Sequence, residues 1–161
     1  MGLSRIGYSI DATLSYFMND KYGCGLKFVD YHTVKVETNN TTDVISIKFA
    51  GPVLSWRDKK AYDKNQYSVN FGLGAIFYSD DWNDGKNLGP MKAIRFGWSL
   101  DGGYYRWITT QFAVGAILQT VGGLPVRKFR YNDPKEPTVG AKNGPESVFY
   151  FNAGIGAKVS F

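Results

Sequence analysis

Hydrophobic and polar positions alternate with a period of two along much of the chain, which is the pattern of a β-strand with two unlike faces. From Ile6, the residues Ile6, Tyr8, Ile10, Ala12, Leu14, Tyr16 and Met18 alternate with Gly7, Ser9, Asp11, Thr13 and Ser15. The split recurs from Tyr67, where Tyr67, Val69, Phe71, Leu73, Ala75 and Phe77 oppose Ser68, Asn70, Gly72 and Gly74. It recurs from Ile94, with Phe96, Trp98, Leu100 and Tyr104 against Arg95, Gly97, Ser99, Asp101 and Gly103. It is clearest at the end, where Phe149, Phe151, Ala153, Ile155, Ala157, Val159 and Phe161 oppose Tyr150, Asn152, Gly154, Gly156, Lys158 and Ser160.

Three further segments, roughly 23 to 37, 43 to 56 and 111 to 122, read as less regular strands. In the first, Leu26 and Phe28 oppose Gly25 and Lys27 until the pattern breaks at Asp30, expected near or beyond a membrane surface. In the second, Ile45, Ile47, Phe49 and Val53 alternate with Ser46, Lys48 and Ala50, and Pro52 predicts a bulge or strand end because it cannot donate to a ladder. In the third, Phe112, Val114, Ala116 and Leu118 share the apolar face.

Seven strands result, and the question becomes what covers the apolar face. A soluble sandwich or barrel fills its core with large side chains. Here the large residues lie opposite a face of glycines and charges, which suits a narrow polar lumen with the apolar side turned to lipid. An open sheet cannot cross a bilayer, because each unpaired edge group costs several kcal/mol in hydrocarbon, so lipid as solvent implies closure. Connections alternate in length as such a barrel requires: 131–146 and 80–92 are long, 108–110 and 19–22 tight, and 56–65 and 38–42 intermediate.

Composition agrees. The chain has 161 residues, 43% hydrophobic and 16% aromatic, with nineteen glycines and only 20% charged residues, a mix unlike a soluble helical protein. No window approaches the roughly 18 apolar residues of a membrane-spanning helix. The net charge of +5 is scattered, and gives no nucleic-acid footprint. Cys24 is the single cysteine, so neither an internal disulfide nor a cysteine metal cluster is available, and no cofactor or metal is expected. The segment after Met1 has no apolar secretion-signal core.

The terminal stretch Phe149-Tyr-Phe-Asn-Ala-Gly-Ile-Gly-Ala-Lys-Val-Ser-Phe161 resembles the C-terminal assembly signal of small Gram-negative outer-membrane β-barrels, with Phe149, Phe151 and Phe161 as its signal residues. Phe49-Ala-Gly-Pro-Val-Leu-Ser-Trp-Arg57 followed by Val69-Asn-Phe-Gly-Leu-Gly-Ala-Ile-Phe-Tyr78 is similar to the porin-like barrel group common in Bacteroidetes. The resemblance implies an all-β, antiparallel, up-and-down transmembrane barrel in the bacterial outer membrane. Its expected partners are lipids, lipopolysaccharide, the barrel assembly machinery and other envelope proteins. Residues 1–161 form one domain with about eight strands expected and seven identifiable. Bacterial single-chain barrels have even strand numbers, so either a strand upstream of Met1 or another polypeptide is expected to complete it.

Candidate chemistry is sparse. His32 is the only histidine, so Ser-His-Asp chemistry must run through it, with Ser79, Asp80 or Asp81 as partners. Lipid A acylases and deacylases, which some barrels of this class resemble, use such a histidine. Alternation puts His32 on the face of Leu26 and Asp80 on the other face, so a bulge near Asp30 would be needed to join them. The inner charges Asp11, Lys27, Lys48, Arg95, Asp101 and Lys158 are expected to form a lumen network that plugs the barrel rather than opens it. Tyr16, Trp56, Tyr67, Tyr104, Tyr105 and Trp107 read equally as an interfacial girdle or as ordinary strand aromatics. The stretch 125–131 is basic and aromatic, and fits the base of an outer loop near anionic lipid better than a nucleic-acid site. Three function classes follow: a structural, adhesive or complex-subunit barrel; a lipid A-modifying acyl hydrolase or transferase using His32; and a soluble ligand-binding barrel.

Overall fold

The computed structural model describes residues 7–33, 36–38, 41–59, 64–83, 91–126, 129–131, 139–140 and 146–161. The chain is all-β, and among the described residues there is no helix. Seven long strands carry the fold: β1 (Gly7–Phe17), β2 (Tyr22–Thr33), β4 (Thr41–Lys59), β5 (Asn65–Asn83), β6 (Met91–Trp107), β7 (Phe112–Val126) and β10 (Glu146–Val159). The short strands β3 (Val36–Thr38), β8 (Phe129–Tyr131) and β9 (Val139–Gly140) extend the hairpins at one end. The long strands pair antiparallel in the order β1-β2-β4-β5-β6-β7-β10, one sheet curled into a half-barrel. Each segment that alternation marked becomes a strand; Ile6 lies outside the described residues.

Two four-residue turns, 18–21 and 108–111, share one end of the sheet, here called the lower end, with Phe161. They are built alike. The Asn19 side chain accepts from the Lys21 and Tyr22 amides at 2.9 and 2.8 Å, and Thr109 Oγ1 accepts from the Gln111 and Phe112 amides at 3.2 and 3.0 Å. These short side chains satisfy turn amides that no ladder reaches. Arg57 locks the first turn: its amide donates to the Lys21 carbonyl at 2.8 Å and its Nε to the Asp20 carbonyl at 3.0 Å, while its guanidinium lies 3.7 Å from the centre of the Phe17 ring.

Register is constant along every long pair except for one irregularity between Glu146 and Val148. Pro52 therefore makes neither a bulge nor a strand end. Leu26 pairs with Pro52 on one side, and toward β5 the pairs Ala50↔Ala75 and Val53↔Gly72 hold the same offset across the missing ladder bonds. The break expected at Asp30 is likewise absent. β2 continues through Asp30↔Lys48 to His32↔Ser46.

Constant register gives each residue a definite face. Convex positions carry Tyr8, Ile10, Leu14, Leu26, Leu54, Phe71, Ile94, Phe96, Phe151 and Ile155, all exposed. The concave face divides into two halves. Toward the upper end, Val29, Tyr31, Ile47, Phe49, Ile76, Tyr78, Ala93, Val121, Val148 and Tyr150 pack into an apolar cluster in which Val29, Phe49, Ile76 and Val121 are fully buried. Toward the lower end, Lys27, Ser55, Gln66, Ser68, Ser99, Asp101 and Gln119 are the buried polar residues.

This division corrects the expected phase of β4. Ile47, Phe49 and Val53 are not on the outer apolar face but on the concave one, and Ser46, Lys48 and Ala50 face outward. The reason is packing: the upper interior is filled by a cluster of large hydrophobic side chains, to which Ile47 and Phe49 belong.

Glycines line up across three neighbouring strands. Gly74 pairs with Gly97, and Gly97 with Gly123, so one inner row crosses β5, β6 and β7 without a side chain. Gly51 extends the row onto β4, and its Cα lies 2.7 Å from where a Cβ on Gly74 would stand. Ile76 fills the space over Gly97 and Gly123, with its Cδ1 2.7 Å from a Cβ placed on Gly123. Glycine rows of this kind let strands approach and the sheet crease.

Candidate functional site

The sheet brings most of the expected interior charges into one place. Lys27 Nζ is ion-paired with Asp101 Oδ1, the two side chains only 1% and 8% exposed. Asn70 Nδ2 donates to the other Asp101 oxygen at 2.6 Å. Asp101 sits in an inner row running Ser55, Asn70, Asp101, Gln119, Asn152 across β4, β5, β6, β7 and β10, so polar side chains of five strands stand in register. Asp11 lies within electrostatic reach of Lys27 and Asp101. Lower down, Lys158 Nζ donates to Ser68 Oγ at 2.8 Å and lies 3.8 Å from the centre of the Tyr105 ring. Tyr150 donates to Gln119 Oε1 at 3.3 Å, which ties the polar half to the apolar one.

This arrangement holds charge rather than passing it. A cation and an anion out of water attract strongly, and the second Asp101 oxygen accepts from an amide. Above them the apolar cluster fills the concave space, and within it Tyr31 and Tyr150 stack with ring centres 4.6 Å apart. Arg57 over Phe17 covers the lower end.

Two expected members of the network stand apart. Lys48 lies on the convex face, where its Nζ is 3.1 Å from Asp30 Oδ2. Arg95 does face inward, in the row of Phe49 and Ile76, and donates to the Ile94 carbonyl at 2.9 Å. Tyr105 is buried on the concave face and Trp107 shares that face by alternation, so neither belongs to an outer girdle. Tyr16, Trp56, Tyr67 and Tyr104 do stand on the convex side near the lower end; the rings of Tyr67 and Tyr104 are 5.1 Å apart. Phe149, Phe151 and Phe161 are convex and exposed.

His32 belongs to the convex face. Its Nε2 is 2.8 Å from Asp30 Oδ1, and its ring stacks on Tyr8 at 5.6 Å. Asp30, two residues away on the same face of the same strand, is the partner that reading the sequence missed, although spacing alone places it there. Register aligns Tyr8, His32, Ser46, Ser79 and Lys92 in one row across five strands. Ser79 is therefore on the face of His32 but two strands away, about 9–10 Å, beyond proton-transfer distance. Ser46 stands between them, and its buried Oγ has no hydrogen-bond partner. The Asp80 side chain lies outside the described residues. His32 and Ser79 are thus not brought together, and the bulge near Asp30 invoked to change the face is absent. We expect His32→Ala to leave the acylation state of lipid A unchanged when lipid extracts from cells carrying the variant and the parent are compared by mass spectrometry. A change in acyl number would restore a chemical role to His32.

Among the described residues, no group of three or more His, Cys, Asp or Glu is placed to hold a metal ion. Cys24 is exposed and free. Comparison of the chain with protein-family models, with curated proteins and with solved structures found no match.

Proposed function

We propose that this chain is an integral outer-membrane β-barrel protein of a Gram-negative envelope, with a filled interior and a structural, adhesive or complex-subunit role. One observation carries the reading: the convex face is an apolar band, bounded by charge at both ends on β4 and β6. On β6 the outward positions from Ile94 to Tyr104 are uncharged, with Lys92 above and Arg106 below. On β4, Ala50, Pro52, Leu54 and Trp56 lie between Lys48 and Asp58. On β5 the band runs from Tyr67 to Phe77, and on β10 from Phe149 to Phe161. A tilted strand needs about 9–11 residues to cross a bilayer, which is the length of the bands on β5 and β6; the band on β4 is shorter.

The bland alternative, a soluble barrel, requires the same residues to face water. Ile155 is 95% and Leu14 71% exposed, within a continuous apolar surface. Soluble monomers rarely expose apolar patches above a few hundred Å². A soluble ligand-binding barrel also needs a cavity, whereas the concave face here is occupied by Phe49, Ile76 and the Lys27–Asp101 pair. The same filling argues against a channel.

Extraction tests the reading. The protein is expected to sediment with membranes, to stay there in carbonate or urea, and to come out as a monodisperse species only in detergent. A chain that remains monodisperse in water without detergent sinks the proposal.

A further inference from the structure

The convex apolar band is indented where β5, β6, β7 and β10 lie side by side. Val69, Gly102, Leu118 and Ala153 share one row across these strands, so two of its four side chains are no larger than a methyl group. One row lower stand Tyr67, Tyr104 and Ala116. The outcome is an open groove of about 450 Å³, with Gly102, Ala116 and Ala153 lying between the larger Tyr67, Tyr104 and Leu118. A Cβ placed on Gly102 would meet no atom within 4 Å, so the space above it is open.

A cation stands at the lower mouth of this groove. Arg106 follows Tyr104 on the same face of β6, in register with Asn65 and Val114. It is exposed, and its side chain makes no hydrogen bond or ion pair among the described residues. By register the nearest convex carboxylate among those residues is Asp58, two strands away beside Tyr67.

We propose that the groove binds one phospholipid from the leaflet at the lower end, with an acyl chain over Gly102 and the phosphate on Arg106. The inference rests on the membrane reading above. Shape is the first argument. Between protein and lipid there is no hydrophobic drive, so a preferred position for an acyl chain must come from van der Waals contact. A chain sunk over Gly102 is touched on three sides, whereas one lying on a ridge is touched on one.

Charge is the second argument, and it selects the headgroup. A guanidinium offers a planar fork that donates two parallel hydrogen bonds to phosphate oxygens. Gly102 and Arg106 are four residues apart, about 13 Å along the strand, so one amphiphile spans both. Tyr67 and Tyr104, with ring centres 5.1 Å apart, lie between these levels, where rings with an apolar body and a polar tip suit the boundary of chain and headgroup. A second convex groove, beside Ala12, Phe28 and Ala50, lacks this combination. The cation next to it on β4 is Lys48, which Asp30 already holds at 3.1 Å.

The experiment is native mass spectrometry of the full chain, delipidated in detergent micelles and then given phosphatidylglycerol, diacylglycerol of the same chains, or inorganic phosphate. One phosphatidylglycerol per chain is expected to be retained more tightly than diacylglycerol. Arg106→Gln should weaken phosphatidylglycerol about tenfold, to the level of diacylglycerol, as the loss of a charge-assisted contact implies. Gly102→Leu should weaken both lipids, and its side chain enters open space, so the sheet is undisturbed. Lys92→Gln, at the upper border of the band, should change neither. Equal retention by the parent, Arg106→Gln and Gly102→Leu in a chain that needs detergent would overturn the site alone; a chain soluble without detergent would overturn the membrane reading with it. Inorganic phosphate bound as tightly as the lipid, Lys92→Gln as costly as Arg106→Gln, or a dimer that Gly102→Leu breaks would each overturn the proposal as well.

Discussion

Replacing Asp101 with Ala should cost about 3–5 kcal/mol of folding stability, the loss expected when one member of a buried ion pair is removed. Lys27 stays behind, its side chain 1% exposed, with its carboxylate partner gone and Asn70 left without an acceptor. Urea unfolding in detergent micelles, followed by tryptophan fluorescence, reads this directly. The double variant Lys27→Met with Asp101→Leu decides what kind of effect it is. With both charges gone there is no stranded ammonium, so the double variant should recover most of the loss. Replacing a buried pair by apolar residues of similar volume is often neutral or stabilising. A single variant that unfolds within about 0.5 kcal/mol of the parent would show that the pair is solvated and that the interior is not filled. That outcome would reopen the channel reading.

The second large effect is expected at Gly74. A side chain there would collide with the Ala50 carbonyl and stand 2.7 Å from the Gly51 Cα and 2.9 Å from the Ala50 carbonyl carbon. All three are backbone atoms, so no rotamer change gives way, and the strands would have to part at the crease. Gly74→Val should therefore destabilise by about 3 kcal/mol or more, at the upper end of overpacking costs. Gly154→Ala is the matched control. It is also concave, but its nearest foreign atom is the Asn152 Nδ2 at 4.0 Å, so it should change stability by about 0.5 kcal/mol or less. Equal behaviour of the two variants would show that glycine at position 74 answers no steric need. The measurement is the midpoint of urea unfolding for each variant against the parent.

The strands were legible in the sequence because alternation is a local signal. β1, β6 and β10 show it in Tyr8 to Tyr16, Ile94 to Tyr104 and Phe149 to Phe161 without interruption. Which face is inside is not a local matter where both faces hold large apolar residues. In β4, Ile47 and Phe49 turn in while Leu54 turns out, and only pairing with β2 and β5 fixes that phase. Lys48 was misplaced for the same reason. Its partner Asp30 is eighteen positions away, and the two meet only through the register of the hairpin. The Lys27–Asp101 pair was legible as two inner charges but not as a pair, since the closing distance runs across the curl of the sheet rather than along it. The glycine row is a similar case. Each glycine is visible alone, but the line through Gly74, Gly97 and Gly123 exists only once three strands are aligned.

The pairing order has a kinetic consequence. The joints at 18–21 and 108–111 are tight turns, so β1 with β2 and β6 with β7 can each form as a local hairpin at a small loop-closure cost. Ser9 and Asn152 meet across a separation of 143 residues. Hairpins are therefore expected to zip first, each templating the next, with the meeting of the two ends as the late and slow event of folding. Until then β1 and β10 are two bare, uncharged edges, which makes the interval before closure the time at which this chain most needs protection from pairing with its neighbours.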